Sequence, residues 1–559
     1  MVEQSLGDEA FIAAPSPVLL RRRALFAVLV LLTVAGLVAL AAFALSPGGF
    51  GAVDIVLIVL FAVTLPWYVI GFWNATIGLV IMRFAPDPVA AVLPAAAGVR
   101  GDEPITASTA ILLCVRNEPP ERVVRHLAPL LAGLTASGQA PRFHVYVLSD
   151  TGEAAIADAE EACFTALARA CEGRIAVTYR RRLANTGYKA GNIRDFCERW
   201  GQDHTLAVML DADSVMTADA VLRLVRIMQA DARLGILQSL VTGMPSTSAF
   251  ARIFQFGMRL GMRSYTIGSA WWQADCGPYW GHNAAVRIAP FVAHCRLPVL
   301  AEGALVGGHV LSHDQIEAVL MRRAGFEVRV LPEEGASWEE NPPTLLEFIR
   351  RDLRWAQGNM QYWPYLVMPG LKPVSRYQIA FAMLMFLGSP AWIGLLVLGS
   401  LAVTTQGAAN FIRPDAGMAL FVITLVMWFA PKIATVLDVL SRPALRRSFG
   451  GAARFIASTI TETIFFLMLS PIMWVGHMMF LAGLLLGKRL GWGGQARDDH
   501  SVPWSDAART LWPHTLLGWS CILVLAFTVP AAIPYALFIA GGPALSIPLA
   551  VVTSWPSVG

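Results

Sequence analysis

Four short stretches carry residues that could do chemistry, and they follow one another in a telling order. Leu148-Ser149-Asp150-Thr151-Gly152 comes first, then Asp211-Ala212-Asp213, then Ser312-His313-Asp314, and last Arg351-Asp352-Leu353-Arg354-Trp355. Such a series suits an enzyme that holds a nucleotide at the first aspartate, a metal ion on its diphosphate at the second, and an attacking hydroxyl at the third. Asp211 and Asp213 stand at i and i+2, and this short motif suffices for Mg2+ or Mn2+, because such ions keep waters and need only one or two protein carboxylates. Asp-x-Asp is also a common turn. It gains weight here from Ser149-Asp150 before it and from Gly187-Tyr188-Lys189-Ala190-Gly191-Asn192 between the two stations. Lys189 would supply positive charge to a phosphate or orient Asp150. Asp314 is the candidate general base. Its bland alternative is a first-turn helix carboxylate, since Ser-His-Asp-Gln-Ile-Glu-Ala opens an amphipathic stretch. Arg354 and Trp355 have a bland alternative too, a basic interfacial helix with an aromatic anchor. His309 and His313 could face one way as metal ligands, yet no zinc-protease pattern surrounds them, and zinc is not expected.

These stations need elements to hold them. Between about residues 105 and 365 short β-rich runs alternate with helical patterns. Residues 110–115, 143–148, 175–179 and 206–210 are four buried-strand candidates, each followed by polar or acidic residues. The pattern predicts an α/β domain with a mostly parallel sheet, whose ligands sit at the carboxyl ends of the strands. No internal repeat and no Walker-type phosphate loop is present, and the linkers near 84–104 and 404–416 are ordinary Pro/Gly/Ala-rich connections.

Composition decides where the domain resides. With 56% hydrophobic and 15% charged residues and a mean hydropathy of +0.55, the chain is too apolar for a soluble protein and too charged in its middle to be all membrane. Net charge is +4, and the basic residues cluster beside apolar segments rather than along one stripe, which favours a lipid bilayer and excludes nucleic acid as partner. The seven cysteines include no Cys-x-x-Cys pair, so a reduced cytosolic compartment fits.

Residues 24–45 and 55–82 are each long enough to cross the bilayer, and the basic flanks Arg21, Arg22, Arg23 and Arg83 place both outer ends in the cytosol. A cleaved signal peptide is the rival reading of 24–45, disfavoured by the length of its apolar run. Further runs at about 379–403, 417–440, 455–486, 513–530 and 532–552 follow. Arg442, Arg446 and Arg447 mark one cytosolic loop, and Lys488, Arg489, Arg497 and Arg509 another, so 455–486 must leave the cytosol and return. Two shortened or tilted helices around Pro471, or a re-entrant hairpin, are expected there, giving about eight crossings with both termini inside. Glu462 is expected to face the bundle or a water-lined path, with snorkelling to the interface as its alternative. The resulting division is a cytosolic segment 1–23, two transmembrane helices over 24–83, a cytosolic domain with interfacial helices over 84–376, and a C-terminal bundle over 377–559. That bundle has about six crossings and a cytosolic loop at 487–512.

The four stations resemble those of processive family-2 glycosyltransferases such as cellulose, hyaluronan and chitin synthases. Two departures stand out: His313-Asp314 where those synthases usually have Glu-Asp, and Arg351 where they have Gln. Together with Gly277-Pro278-Tyr279-Trp280-Gly281-His282-Asn283-Ala284, Leu320-Met321-Arg322-Arg323-Ala324-Gly325 and Gln495-Ala496-Arg497-Asp498-Asp499, these departures resemble the glucans biosynthesis glucosyltransferase H family, from about residue 60 to residue 520.

The resemblance implies a polytopic α-helical membrane protein of the bacterial inner membrane, with an inserted cytosolic α/β domain of the GT-A, nucleotide-sugar transferase type. It also implies UDP-glucose as donor, Mg2+ or Mn2+ as cofactor, and an inverting reaction that builds a growing β-1,2-glucan. An acyl carrier protein and a periplasmic glucan-processing protein are implied partners. Carried over by position, Asn117, Glu118, Asp150, Lys189, Asp211 and Arg354 would bind the nucleotide sugar, Asp213 with Asp211 the metal, and Asp314 would be the base. Trp280, His282, Asn283 and Trp355 would line the acceptor. A cellulose-like synthase of another linkage, a polyprenyl-phosphate sugar transferase, and a non-enzymatic transporter or sensor with a degraded domain are the competing readings. The intact acidic stations argue against the last.

Overall fold

The computed structural model describes residues 15–301, 306–491 and 497–556. Gln495 and Ala496 of the late motif, and residues 1–14 of the N-terminal segment, lie outside them.

Among the described residues ten strands form: β1 Thr109–Val115, β2 Phe143–Ser149, β3 Ala176–Arg181, β4 Leu206–Asp211, β5 Ser214–Met216, β6 Leu234–Ser239, β7 Thr242–Gly243, β8 Ala284–Arg287, β9 Glu327–Leu331 and β10 Ser337–Glu339. The first four match the expected runs. Seven strands make one sheet in the order β3-β2-β1-β4-β8-β6-β9, and β5-β10-β7 make a small second one. β8 runs antiparallel to both β4 and β6, and the remaining pairs of the large sheet are parallel. The sheet is therefore mixed.

Such a sheet needs apolar cover on both faces. Alternation along β1 supplies it, because successive side chains point to opposite faces. Ile111, Leu113 and Val115 join a core with Val123 and Leu127 of the Pro120–Ala136 helix and Val221 of the Ala218–Ala230 helix. Ala110 and Leu112 join another with Ile193 and Ile316, and that core continues through Tyr362, Ile379 and Phe386 to Leu481 and Leu484. The domain and the bundle thus share one hydrophobic interior.

Six helices among the described residues are long and apolar enough to cross a membrane: Pro17–Ala44, Ala52–Phe84, Pro373–Gln406, Pro414–Ser441, Ala452–Leu485 and Trp504–Thr528. The run expected as one helix over 532–552 is instead a pair, Pro530–Ala544 and Ser546–Thr553, bent by 56°. Polar contacts sort the ends of these helices. Arg23 and Lys372 both reach Asp275 of the domain, at 2.6 and 2.8 Å. At the opposite end Arg413 donates to the Ala44 carbonyl at 2.8 Å and to Ser46 at 3.0 Å, and Thr404 lies 3.2 Å from Thr528.

The Ala452–Leu485 helix corrects the expected hairpin. It is a single unbroken helix of 34 residues with Pro471 inside it, and both its ends lie on the domain's side. Phe455 packs with Leu260 of the Ala249–Gln273 helix. Leu490, just beyond the other end, exchanges hydrogen bonds with Gln357 at 2.7 and 3.1 Å. A helix that runs along the boundary between domain and bundle, with His477 in its second half paired to Asp352 of the domain, meets the demand of both basic flanks without two crossings. The described residues offer six helices long and apolar enough to cross, or seven segments with the bent pair, against about eight crossings expected. Glu462 on this helix faces the bundle, the first of its two expected settings. It is buried in an ion pair with Lys432 at 2.7 Å, so its charge is answered inside the protein rather than by a path for water.

The Ala249–Gln273 helix fastens the domain to the bundle. A Cβ on Gly78 would fall 1.9 Å from the Ser264 carbonyl oxygen, and one on Gly268 equally close to that of Asn74. Only glycines allow the two backbones to approach so closely.

Candidate active site

The order β2-β1-β4 makes a switch in strand order beside β1, where an α/β sheet opens a crevice at its carboxyl end. Asp150 follows β2, its backbone N–H bound to the Val115 carbonyl at 2.9 Å. Its carboxylate is gripped by Arg182 through two bonds of 2.7 and 2.8 Å. Arg182, not Lys189, therefore orients Asp150. The sequence offers three adjacent arginines at 180–182, and only the fold selects among them. Asn117, at a positive φ of 57°, accepts from the Gly152 and Glu153 N–H groups at 3.1 and 3.3 Å. It ties the turn after β1 to the turn after β2. Beneath them the buried Glu160 accepts from Ser149, Thr151 and Tyr179 at 2.6, 2.5 and 3.0 Å, a support that no sequence motif marks.

Asp211 ends β4. Its carboxylate pairs with Lys189, whose ammonium also donates to the Gly281 carbonyl at 2.7 Å. Gly281 has a φ of 82°, and a Cβ there would meet the Asp314 Cβ at 3.3 Å. Donor-side carboxylate, lysine, glycine turn and candidate base are thus in one chain of contacts. Asp314 opens the Asp314–Arg323 helix, so the bland alternative describes its position but not its surroundings. Burial pushes its carboxyl above the ordinary aspartate value, and the neighbouring His313 partly restrains it. His313 is itself held by Glu317 at 2.7 Å. Burial works to lower the imidazole's pKa, but Glu317 outweighs it, and the net shift is upward.

Asp213 lies in the turn between β4 and β5. Burial would raise its carboxyl, but Arg497 and His282 more than offset this and hold it below the usual range. Arg497 pairs directly with Asp213 and lies 3.4 Å from Glu118. Arg497 was expected only as a basic flank of a cytosolic loop and as part of the late motif, not as a residue of the site. Burial, then the nearby Arg497 and Arg351, lower the Arg354 guanidinium, so three arginines converge beside the acidic pair. Asp211 and Asp213 are hard oxygen donors suited to a divalent cation. Among the described residues no group of three or more His, Cys, Asp or Glu could hold a metal by itself, so the remaining ligands would have to be diphosphate oxygens and water.

The acceptor side divides. Trp280 is half-buried and its N–H donates to Gln238 at 2.8 Å. His282 lies 3.3 Å from Glu339. Trp355 is 41% exposed and carries the Arg351 guanidinium 4.6 Å from its ring centre. Those three remain available to a ligand. Asn283 does not. It is fully buried at φ 50°, and its amide donates to Ser337 and to the Trp338 carbonyl at 2.9 and 3.1 Å. It shapes the turn that presents His282, a left-handed position that asparagine tolerates.

The family described as glycosyl transferase family group 2 matches residues 206–539. Glucans biosynthesis glucosyltransferase H of Pseudomonas fluorescens is 34% identical over 521 residues, which are 90% of this chain and 60% of that protein. The protein of the same description from Pseudomonas aeruginosa is 35% identical over 520 residues, with 90% and 60% covered. This chain therefore spans about 60% of the length of these relatives. A solved mannosyltransferase from Pyrobaculum calidifontis, in complex with GDP-Man and Mn2+, aligns with 74% of this chain and 99% of its own, at 14% identity and a TM-score of 0.44. That likeness is too distant to carry an argument.

Proposed function

The chain belongs to glycosyl transferase family group 2, and from that premise we propose that it is a processive, inverting glucosyltransferase of the bacterial inner membrane. Its donor is UDP-glucose, its product the β-1,2-glucan backbone of osmoregulated periplasmic glucans, and its sheet domain faces the cytosol. A glucosyl group and a glucan product accord with the relatives' description as glucans biosynthesis glucosyltransferases, and UDP and the β-1,2 linkage are what the motif resemblance implies. The observation that carries the chemical reading is the contact chain from Asp211 through Lys189 and Gly281 to Asp314.

Inversion is a single in-line displacement. The acceptor hydroxyl oxygen attacks the anomeric carbon, its proton passes to Asp314, and the bond to the β-phosphate oxygen breaks as UDP leaves. Burial raises the pKa of Asp314 and makes it a better proton acceptor than an ordinary aspartate. Arg354 and Lys189 answer the charge gathering on the departing diphosphate. Asp211 and Asp213 would hold Mg2+ or Mn2+, which when bound supplies further neutralisation of that charge. Trp280 and Trp355 offer flat apolar faces to sugar rings. Asp150 and Arg182, beside the Asn117 turn, line the nucleoside side.

Purified protein incubated with labelled UDP-glucose and Mg2+, followed by linkage analysis of the polymer, tests this. A β-1,2 product is expected. A β-1,4 polymer, or incorporation only from another nucleotide sugar, would remove the assignment.

A further inference from the structure

Arg497 comes from the segment beyond the Ala452–Leu485 helix, 284 positions from Asp213 in sequence, yet its guanidinium sits on the Asp213 carboxylate. Both side chains are largely withdrawn from solvent, at 14% and 13% exposure. Its Nε also faces Glu118. The residues after it are tied as well. Asp498 meets Arg122 at 3.0 Å, and Asp499 accepts from Thr247. A guanidinium and a divalent cation compete for the same carboxylate oxygen, and two positive charges within a few ångströms repel strongly where water is excluded. The arginine also has an alternative counter-charge. Arg351 and Arg354 lie within its electrostatic reach, a concentration of positive charge that an incoming diphosphate would relieve.

We propose that Arg497 is the counter-ion of the metal seat in the donor-free protein, and that metal and diphosphate together displace it from Asp213. This rests on the reading of Asp213 as a metal ligand. Its consequence is linkage. Arg497 weakens the binding of metal alone, and the diphosphate removes that handicap by offering the guanidinium another partner. Metal binding should therefore depend steeply on the nucleotide, and the dependence should reside in Arg497.

Mn2+ titration of the detergent-solubilised full chain, followed by the electron paramagnetic resonance of free Mn2+ with and without UDP, tests this. In Arg497→Gln the affinity for Mn2+ without UDP should tighten about tenfold, and the gain in Mn2+ affinity on adding UDP should shrink by a similar factor. Unchanged or weaker Mn2+ binding by the variant without UDP overturns the proposal. Should that variant not fold, Arg497→Lys serves, because a single ammonium cannot reproduce the guanidinium's separate contacts to Asp213 and Glu118. A smaller tightening in the same direction is expected of it, and none overturns the proposal. Asp213→Asn separates this from the underlying reading. If Mn2+ binding with UDP survives that change undiminished, Asp213 is not the metal ligand, whatever Arg497 does.

Discussion

At the scale of the residue, the proposed chemistry concentrates on Asp314. Only its deprotonated form can accept the acceptor's proton, so kcat/KM should fall as pH falls through its pKa. Burial raises that pKa, and the acid limb should therefore lie above the ordinary aspartate range. His313 restrains the rise, so His313→Ala should move the limb further upward while costing less activity than loss of the base. A limb that stays in the ordinary range, or moves down in His313→Ala, contradicts this. Asp314→Asn should lower activity roughly 10²- to 10⁴-fold with UDP binding near normal. Because the buried charge is disfavoured in the folded state, the asparagine variant should unfold at no lower temperature. A variant that polymerises normally would return Asp314 to the role of a helix-end carboxylate.

At the scale of the element, the Ala452–Leu485 helix decides the topology. Single cysteines at Ser448 and Gly487, flanking it, should react from the same side of the membrane as one at Ser246, and a cysteine at Gly407 from the other. Opposite labelling of 448 and 487 would make the helix a true crossing. The Lys432–Glu462 pair fastens this helix to the Pro414–Ser441 helix. Glu462→Ala leaves a buried ammonium without its partner and should cost about 3 kcal/mol. Lys432→Met combined with Glu462→Leu should cost far less, since apolar replacements of a buried pair are commonly close to neutral. Thermal unfolding in detergent compares the two, and equal losses would mean the pair matters only through its packing.

At the scale of the whole molecule, the core shared by sheet and bundle takes in Ala356, the chain neighbour of the proposed acceptor residue Trp355. Inside the bundle Trp392 and Trp474 stack at 4.8 Å, with Trp428 against both. Sealed inverted vesicles supplied with UDP-glucose should accumulate β-1,2-glucan in their lumen if the chain that polymerises also exports. Polymer found wholly outside would divide synthesis from export and leave the aromatic stack as packing.

The four strands at the heart of the sheet and the order of the stations were legible in the sequence, because buried parallel strands are continuous apolar runs and catalytic carboxylates follow their ends. Long apolar helices were legible for the same reason of local composition. What the sequence could not say is which charge answers which. Lys189 serves Asp211 rather than Asp150, Arg182 holds Asp150, and Arg497 crosses hundreds of positions to reach Asp213. Nor could it show that Asn283 is consumed by its own turn, or that 455–486 forms one helix instead of two. Pairing and direction depend on which surfaces meet in three dimensions, and only the tertiary structure brings those surfaces together.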